Sequence, residues 1–214
     1  MQNQMSDNKY ITQLNNSWIG ELVRTIGLSV ILALGIRTFV AEARWIPSGS
    51  MEPTLHGTPN QWEADKIIVD KLSYKFTKPQ RGDIVVFYPT QELKNENYQD
   101  AFIKRVVALP GETVELRQGK VYINKQPLRE NSRALPEQFT SVEVCTSGQR
   151  PPFLSRPKTI PLDSYLVLGD NRGSSYDSRC WGVVPNRNII GRAVIRFWPL
   201  SNIGSIDKAP VYSR

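Results

Sequence analysis

The stretch "FIKRVVAL", Phe102 to Leu109, decides how this chain is read. It mixes β-branched and aromatic residues, holds no glycine, and is closed by Pro110-Gly111, which is strand composition with a turn behind it. On a strand, alternate side chains share a face, so Phe102, Lys104 and Val106 point one way. Arg105 is expected on the opposite side, facing water. Lys104 then stands among Phe102, Ile103, Val106 and Val107. Two readings are open. The lysine snorkels to solvent, as most strand lysines do. Alternatively it is buried, which disfavours the ammonium, lowers its pKa from the usual value of about 10.4, and leaves a neutral amine able to accept a proton.

Working outward, similar runs recur: "KIIVD" (66–70), "DIVVF" (83–87), "TVELRQGKVYIN" (113–124), "SYLVLGD" (164–170) and "GRAVIRFWP" (191–199). Each is bounded by Gly, Pro, Asn or Asp. "RQGK" reads as a hairpin turn. Fifteen prolines in 214 residues argue against long helices in this part of the chain. The expected fold is therefore mostly antiparallel β. Asn131 to Pro161 is polar, proline-rich and weakly periodic, and marks an inserted β or loop subdomain over about 113–163. No internal repeat is apparent.

The N-terminal part differs. "TIGLSVILALGI", Thr25 to Ile36, carries no charge, but its 12 residues fall short of the roughly 20 needed to cross a bilayer. Extended to Ile19–Phe39 it reaches 21 residues, with Arg24 and Arg37 near opposite ends and Trp18 and Trp45 near the two interfaces. A rival reading is a cleaved leader ending at Ala41-Glu42-Ala43. Against it, the segment before Thr25 is long and has no net positive charge, and Arg37 interrupts the approach to the cut. The reading adopted is a tail over 1–18, one membrane-spanning helix over 19–41 and a β domain over 42–214. Lys and Arg are nearly even on the two sides, so they do not set the topology.

Composition narrows the function classes. Apolar residues make up 40% of the chain, enough for a packed core. Lys and Arg outnumber Asp and Glu by 27 to 20, a net charge of +7, but the basic residues are spread singly. That pattern fits solvated faces and attraction to anionic lipid, and no nucleic-acid partner is expected. With two cysteines, Cys145 and Cys180, and one histidine, His56, no structural zinc site is expected. Whether the cysteines pair is open from sequence.

Chemistry is sought in three places. "IPSGSMEPTL", Ile46 to Leu55, sets Ser48 and Ser50 on a stiff turn just beyond the apolar segment. A nucleophilic serine needs a base. His56 lies on the same loop; Lys104 is the alternative. "GDNRGSSYDSR", Gly169 to Arg179, has ordinary turn composition but follows a buried-looking strand and carries the acid–base pairs expected as Asp170/Arg172 and Asp177/Arg179.

Together, and in this order, "PSGSMEPTL", "RGDIVVF" (81–87), "KRVVALPGE" (104–112) and "GDNRGSSYDSRCWGVVP" (169–185) resemble the type I signal peptidases, the membrane-anchored Ser/Lys proteases, over roughly Ile19 to Pro199. The resemblance implies Ser50 as nucleophile and Lys104 as general base. It implies Ser48 and the backbone N–H of Ser50 as the oxyanion hole. Ser175 resembles the serine that orients the lysine, and Asp177 and Arg179 the supporting ion pair. Ile46, Pro47, Met51, Leu55, Phe102 and Ile103 lie where the family lines its first pocket. No metal or cofactor is implied. The implied substrates are signal peptides of exported preproteins, cut after Ala-x-Ala. The implied partners are the lipid bilayer and the secretion translocase. The implied location is the plasma membrane, or the thylakoid where the cell has one, with a single span and the catalytic domain outside the cytoplasm. Three features depart from the family pattern, one being that Cys145 and Cys180 follow no family-wide arrangement, which leaves their pairing open. The Lys104–Gly169 interval is shorter than in some members, so a reduced second β subdomain is expected, and "RGSS" (172–175) replaces the commoner "RDNS". The rival functions are a soluble self-cleaving repressor-type Ser/Lys peptidase, which lacks room here for a DNA-binding domain, and a secreted non-enzymatic β-rich binding domain.

Overall fold

The computed structural model describes residues 2–128, 138–145 and 151–206, with side chains from Trp18 onward. Residues 129–137 and 146–150 of the expected insertion lie outside the described residues. The chain divides into two compact units, 1–41 and 42–214.

The first unit is one long helix, α1 (Gln2–Gly35), continued by a wider turn over Ile36–Val40. From Trp18 to Val40 it is long and apolar enough to cross a membrane.

The second unit is almost entirely β. Its strands are β1 (Ala41–Trp45), β2 (Lys66–Asp70), β3 (Ile84–Phe87), β4 (Phe102–Ala108), β5 (Thr113–Arg117), β6 (Lys120–Ile123), β7 (Gln126–Pro127), β8 (Lys158–Thr159), β9 (Ser164–Leu168), β10 (Val184–Pro185), β11 (Ile189–Trp198) and β12 (Gly204–Ser205). Two short helices, α2 (Gln91–Asn95) and α3 (Ser178–Trp181), interrupt them. The larger sheet runs β1-β2-β11-β3-β4-β9-β10, with β12 beside β11. Pairing from β2 through β10 is antiparallel, as the strand composition predicts. β4, the strand that opened the sequence reading, is interior: Lys104 pairs with Val85 on β3 and Arg105 with Leu168 on β9.

The insertion supplies a second, four-stranded sheet, β7-β6-β5-β8. The expected hairpin joins β5 to β6. Gln118 and Gly119 both take positive φ, +48° and +75°, the backbone that a two-residue hairpin turn of right-handed twist requires. The insertion keeps a real sheet, so the second subdomain is small but formed.

The cores follow the strand alternation. Ile46, Met51, Leu55, Ile67, Val69, Ile84, Val86 and Ile103 pack together at one end. Val85, Phe87, Val106, Tyr165, Val167 and Trp181 fill another layer. Val107, Leu166 and Leu168 of the large sheet close against Val114, Val121 and Ile123 of the small one and against Ile160 just after β8. The two sheets thus share a core, which fixes the insertion against the strands that carry the site.

The water-facing expectation for Arg105 is overturned. Its side chain is fully buried. The loops at 54, 82 and 170 roof that face of β4, and an Arg is tolerated there because its donors are met. Nε and Nη2 donate to the Asp170 carboxylate at 2.7 Å each, and Nη1 donates to the Gly82 carbonyl at 2.8 Å. Alternation predicts which face a residue takes, but not what covers that face.

Candidate active site

Ser50 lies in a single helical turn, Gly49–Met51, where the loop after β1 folds back. Met51 and Leu55 leave no surface exposed and seat this loop in the core. Ile46 N–H donates to the Asp65 carbonyl, and Leu55 N–H to the Met51 carbonyl. The Ser50 loop is therefore fixed at both ends by buried side chains and its own backbone hydrogen bonds.

Lys104 reaches this loop from β4. Its Nζ lies 2.8 Å from Ser50 Oγ and 2.9 Å from the Ile103 carbonyl, 54 residues away from Ser50 in sequence. The Phe102 ring centroid is 5.7 Å from the amine. Only 4% of the Lys104 surface is exposed, so the snorkelling alternative does not hold. Burial pulls the Lys104 pKa down to about 8. Asp177 and Asp170 pull the other way, and Arg179 helps to lower it. The arrangement sets an amine with an accessible neutral form against a hydroxyl, which is the requirement for a hydroxyl to lose its proton as it attacks.

His56 is placed elsewhere. Its ring is exposed and its Nδ1 bonds Glu52 Oε1 at 2.6 Å. Ser48 is exposed, and its hydroxyl donates to Ser50 Oγ at 3.3 Å.

The loop after β9 closes the site from the other side. Asp177 and Arg179 form a fully buried bidentate pair, with Nε to Oδ1 and Nη2 to Oδ2 both at 2.8 Å. Asp177 also accepts from the Gly169 N–H at 3.0 Å, while Arg179 donates to the carbonyls of Arg172, Ser141 and Ser175. The other expected pair is corrected. Asp170 pairs with Arg105, and Arg172 instead donates to the Gly169 carbonyl and to Thr140 Oγ1. In a loop this tight Arg172 turns back on its own backbone, whereas the guanidinium of β4 reaches Asp170 from beneath.

Ser175 is buried, but its Oγ makes no hydrogen bond among the described residues, and the amine bonds the Ile103 carbonyl instead. Gly169 has no room for a side chain. A Cβ there would stand 2.1 Å from Ser175 Oγ and 2.5 Å from the Ser50 carbonyl.

A cleft of about 380 Å³ opens between the start of the Ser50 loop and the start of β4; neither Ser50 nor Lys104 is among its lining residues. Ile46, Pro47, Phe102 and Ile103 line it, together with Val86, Glu42 and Asp100. Met51 and Leu55, expected in the same lining, lie in the core behind it. A second cavity, about 320 Å³, abuts Cys145, Cys180 and Trp181, and neither Ser50 nor Lys104 lines it. The cysteines are joined as a disulfide, which settles the question the sequence left open. Among the described residues no group of His, Cys, Asp and Glu is arranged to hold a metal ion.

Three contributors were missed in the sequence: Gln138, Thr140 and Asn171. Gln138 Nε2 donates to the Asp170 carbonyl and its Oε1 accepts from the Arg172 N–H, both at 2.9 Å. Only the "DN" of the last box hinted at Asn171. The insertion residues gave no signal, because a polar loop looks alike whether or not it braces a site.

The family model described as signal peptidase, peptidase S26, matches residues 19–198. A signal peptidase I of Leptolyngbya laminosa is 53% identical, covering 90% of this chain and 86% of its own length. A probable signal peptidase I-2 of Synechocystis is 49% identical over 88% of this chain and 77% of its own. The chloroplastic probable thylakoidal processing peptidase 2 of Arabidopsis thaliana is 35% identical over 89% of this chain and 49% of its own. With a buried serine–lysine contact at the centre of an antiparallel β unit and a family match over most of its length, the chain belongs to the signal peptidase family, peptidase S26, as a protease of the signal peptidase I type.

Proposed function

We propose that this protein is a membrane-anchored endopeptidase that removes signal peptides after Ala-x-Ala with Ser50 as nucleophile and Lys104 as general base. The observation that carries the reading is the 2.8 Å approach of the Lys104 amine to the Ser50 hydroxyl inside a buried environment.

Neutral Lys104 takes the Ser50 proton as Oγ attacks the scissile carbonyl. The new C–O bond gives a tetrahedral oxyanion, held by the Ser50 N–H and the Ser48 hydroxyl. Collapse breaks the C–N bond; the ammonium of Lys104 returns the proton to the leaving amine. Water, deprotonated by the same amine, then attacks the acyl ester; the acyl C–O bond to Ser50 breaks, and the Lys104 ammonium returns the proton to the departing Oγ. Ser48 now donates to Ser50 Oγ and is exposed, which suits a donor that turns to an oxyanion once one forms. Loss of one such donor raises the barrier by roughly 3 kcal/mol. Ser175 is assigned to orienting the amine, since it is buried with unused hydrogen-bonding capacity on the loop that Asp177 and Arg179 hold rigid. The apolar lining by Ile46, Pro47, Phe102 and Ile103 suits short alkyl side chains. The helix from Trp18 to Val40 suits anchorage in a bilayer.

The test is cleavage of a purified preprotein carrying Ala-x-Ala by the wild type, Ser50→Ala and Lys104→Ala, with circular dichroism to show that the variants fold. Both variants are expected to lose turnover while staying folded. Full turnover by folded Lys104→Ala removes the lysine from the role.

A further inference from the structure

Asn171 touches the nucleophile loop twice. Its backbone N–H donates to the Ser50 carbonyl at 3.1 Å and its side-chain Nδ2 donates to the Gly49 carbonyl at 3.2 Å. One residue thus holds the carbonyls on both sides of the Ser50 Cα. The Gly49 carbonyl belongs to the same planar trans peptide as the Ser50 N–H, so fixing the oxygen fixes the direction of the N–H opposite it.

Asn171 is itself held in an uncommon backbone conformation, φ −82° and ψ 83°. In that conformation the carbonyl before it and the N–H after it turn toward each other. The Gln138 amide spans both, donating to the Asp170 carbonyl and accepting from the Arg172 N–H. Arg172, on the far side of this bend, is buried and donates to Thr140 of the same inserted segment. A line of contacts therefore runs from the insertion, through Gln138, to the bend at Asn171, and on to the Gly49–Ser50 peptide.

We propose that Gln138 and Asn171 form a positioning relay: Gln138 holds the bend at Asn171, and Asn171 aims the Ser50 N–H at the oxyanion. The relay rests on the reading of Ser50 as nucleophile given above. Neither residue touches the reacting atoms, and both act through the orientation of a peptide. Their effect falls on the transition state, where the N–H is used, and little on ground-state binding.

The experiment measures kcat and KM on the preprotein for the full-length wild type, Asn171→Ala, Gln138→Ala, the double variant and Ser50→Ala, with thermal unfolding of each. Asn171→Ala is expected to lower kcat by about 10- to 100-fold with KM changed by less than about threefold, below the effect of deleting an oxyanion donor outright. Gln138→Ala is expected to lower kcat by about three- to tenfold, and the double variant by no more than Asn171→Ala alone, because residues acting in one chain are not additive. The midpoint of the pH–rate profile should stay where the wild type has it, since the Lys104 amine is not moved. Losses in the double variant that multiply overturn the relay, as does a KM increase that accounts for the whole effect. A kcat for Asn171→Ala within twofold of wild type overturns it too, even if Ser50→Ala is dead. A Ser50→Ala variant that still turns over removes the nucleophile assignment and the relay together. If Asn171→Ala unfolds, Asn171→Asp, which keeps shape but loses the Nδ2 donor, stands in and is expected to show the same kcat loss.

Discussion

Position 104 keeps an amine where water scarcely reaches, and two consequences follow from one titration. Burial draws its pKa down to about 8 against the opposing pull of Asp177 and Asp170. If the neutral amine is the base, kcat/KM rises with pH through an apparent pKa near 8 and the limb survives His56→Ala. A limb near 6.5 that disappears with His56→Ala would reverse the assignment in favour of the imidazole. Stability carries the other consequence. The folded pKa lies below the unfolded value of about 10.4, so between the two the unfolded chain binds the extra proton. The penalty of the buried ammonium is therefore complete below pH 8 and fades as the pH climbs toward 10.4. Lys104→Met retains a chain of similar length without the charge. It is expected to be inactive yet to resist denaturant better than the wild type at pH 7, with the difference shrinking by pH 9.5. An equal difference at both values would mean that the amine is charged in neither state, or in both.

The loop from Gly169 to Arg179 acts as one element, because its bends are cross-linked from several directions. Asp177 receives the Gly169 N–H and the Arg179 guanidinium, and Arg179 returns three backbone bonds. The disulfide ties α3 to the segment ending at Cys145, whose Ser141 carbonyl takes one of those bonds. Removing Asp177 strands a buried guanidinium. Asp177→Ala is therefore expected to lower stability by about 3–5 kcal/mol, read by urea unfolding. A loss under about 1 kcal/mol would show that water replaces the carboxylate. Gly169→Ala tests the same element by bulk: the new methyl meets Ser175 and the Ser50 carbonyl, so kcat is expected to fall at least tenfold on folded protein. The strands, the hairpin at Gln118-Gly119, the apolar setting of Lys104 and the Asp177/Arg179 pair were all legible in sequence, because periodicity and turn chemistry are local. Arg105, Asp170 and Gln138 were not. Their partners are set by how β4, the loop after β9 and the insertion meet, and an arginine beside a lysine on a strand reads as solvated until the roof over it is known.

At the scale of the whole molecule the two units pose different physical problems. Residues 42–214 bury their own apolar clusters and have no need of the helix to form a core. The helix from Trp18 to Val40 does the reverse: its large side chains from Val23 to Leu34 are mostly more than half exposed, an apolar surface of the kind that marks a membrane or partner contact. On the proposed reading of this helix as an anchor, a bilayer would cover the apolar stretch, with Arg24 and Arg37 placed near its ends to reach the headgroups. The full-length protein is then expected to stay with membranes extracted at high pH, and the 42–214 fragment to be released in folded form. Anchorage should matter only for substrates that are themselves in the membrane, because confining both partners to one surface raises their effective concentration without altering the site. The fragment is accordingly expected to cut a short soluble Ala-x-Ala peptide with a kcat/KM within about threefold of the full-length protein, and to lose at least about tenfold on a membrane-inserted preprotein. Equal losses on both substrates would mean that the helix shapes the catalytic unit itself. No loss on either would mean that the enzyme finds its substrate without the bilayer's help.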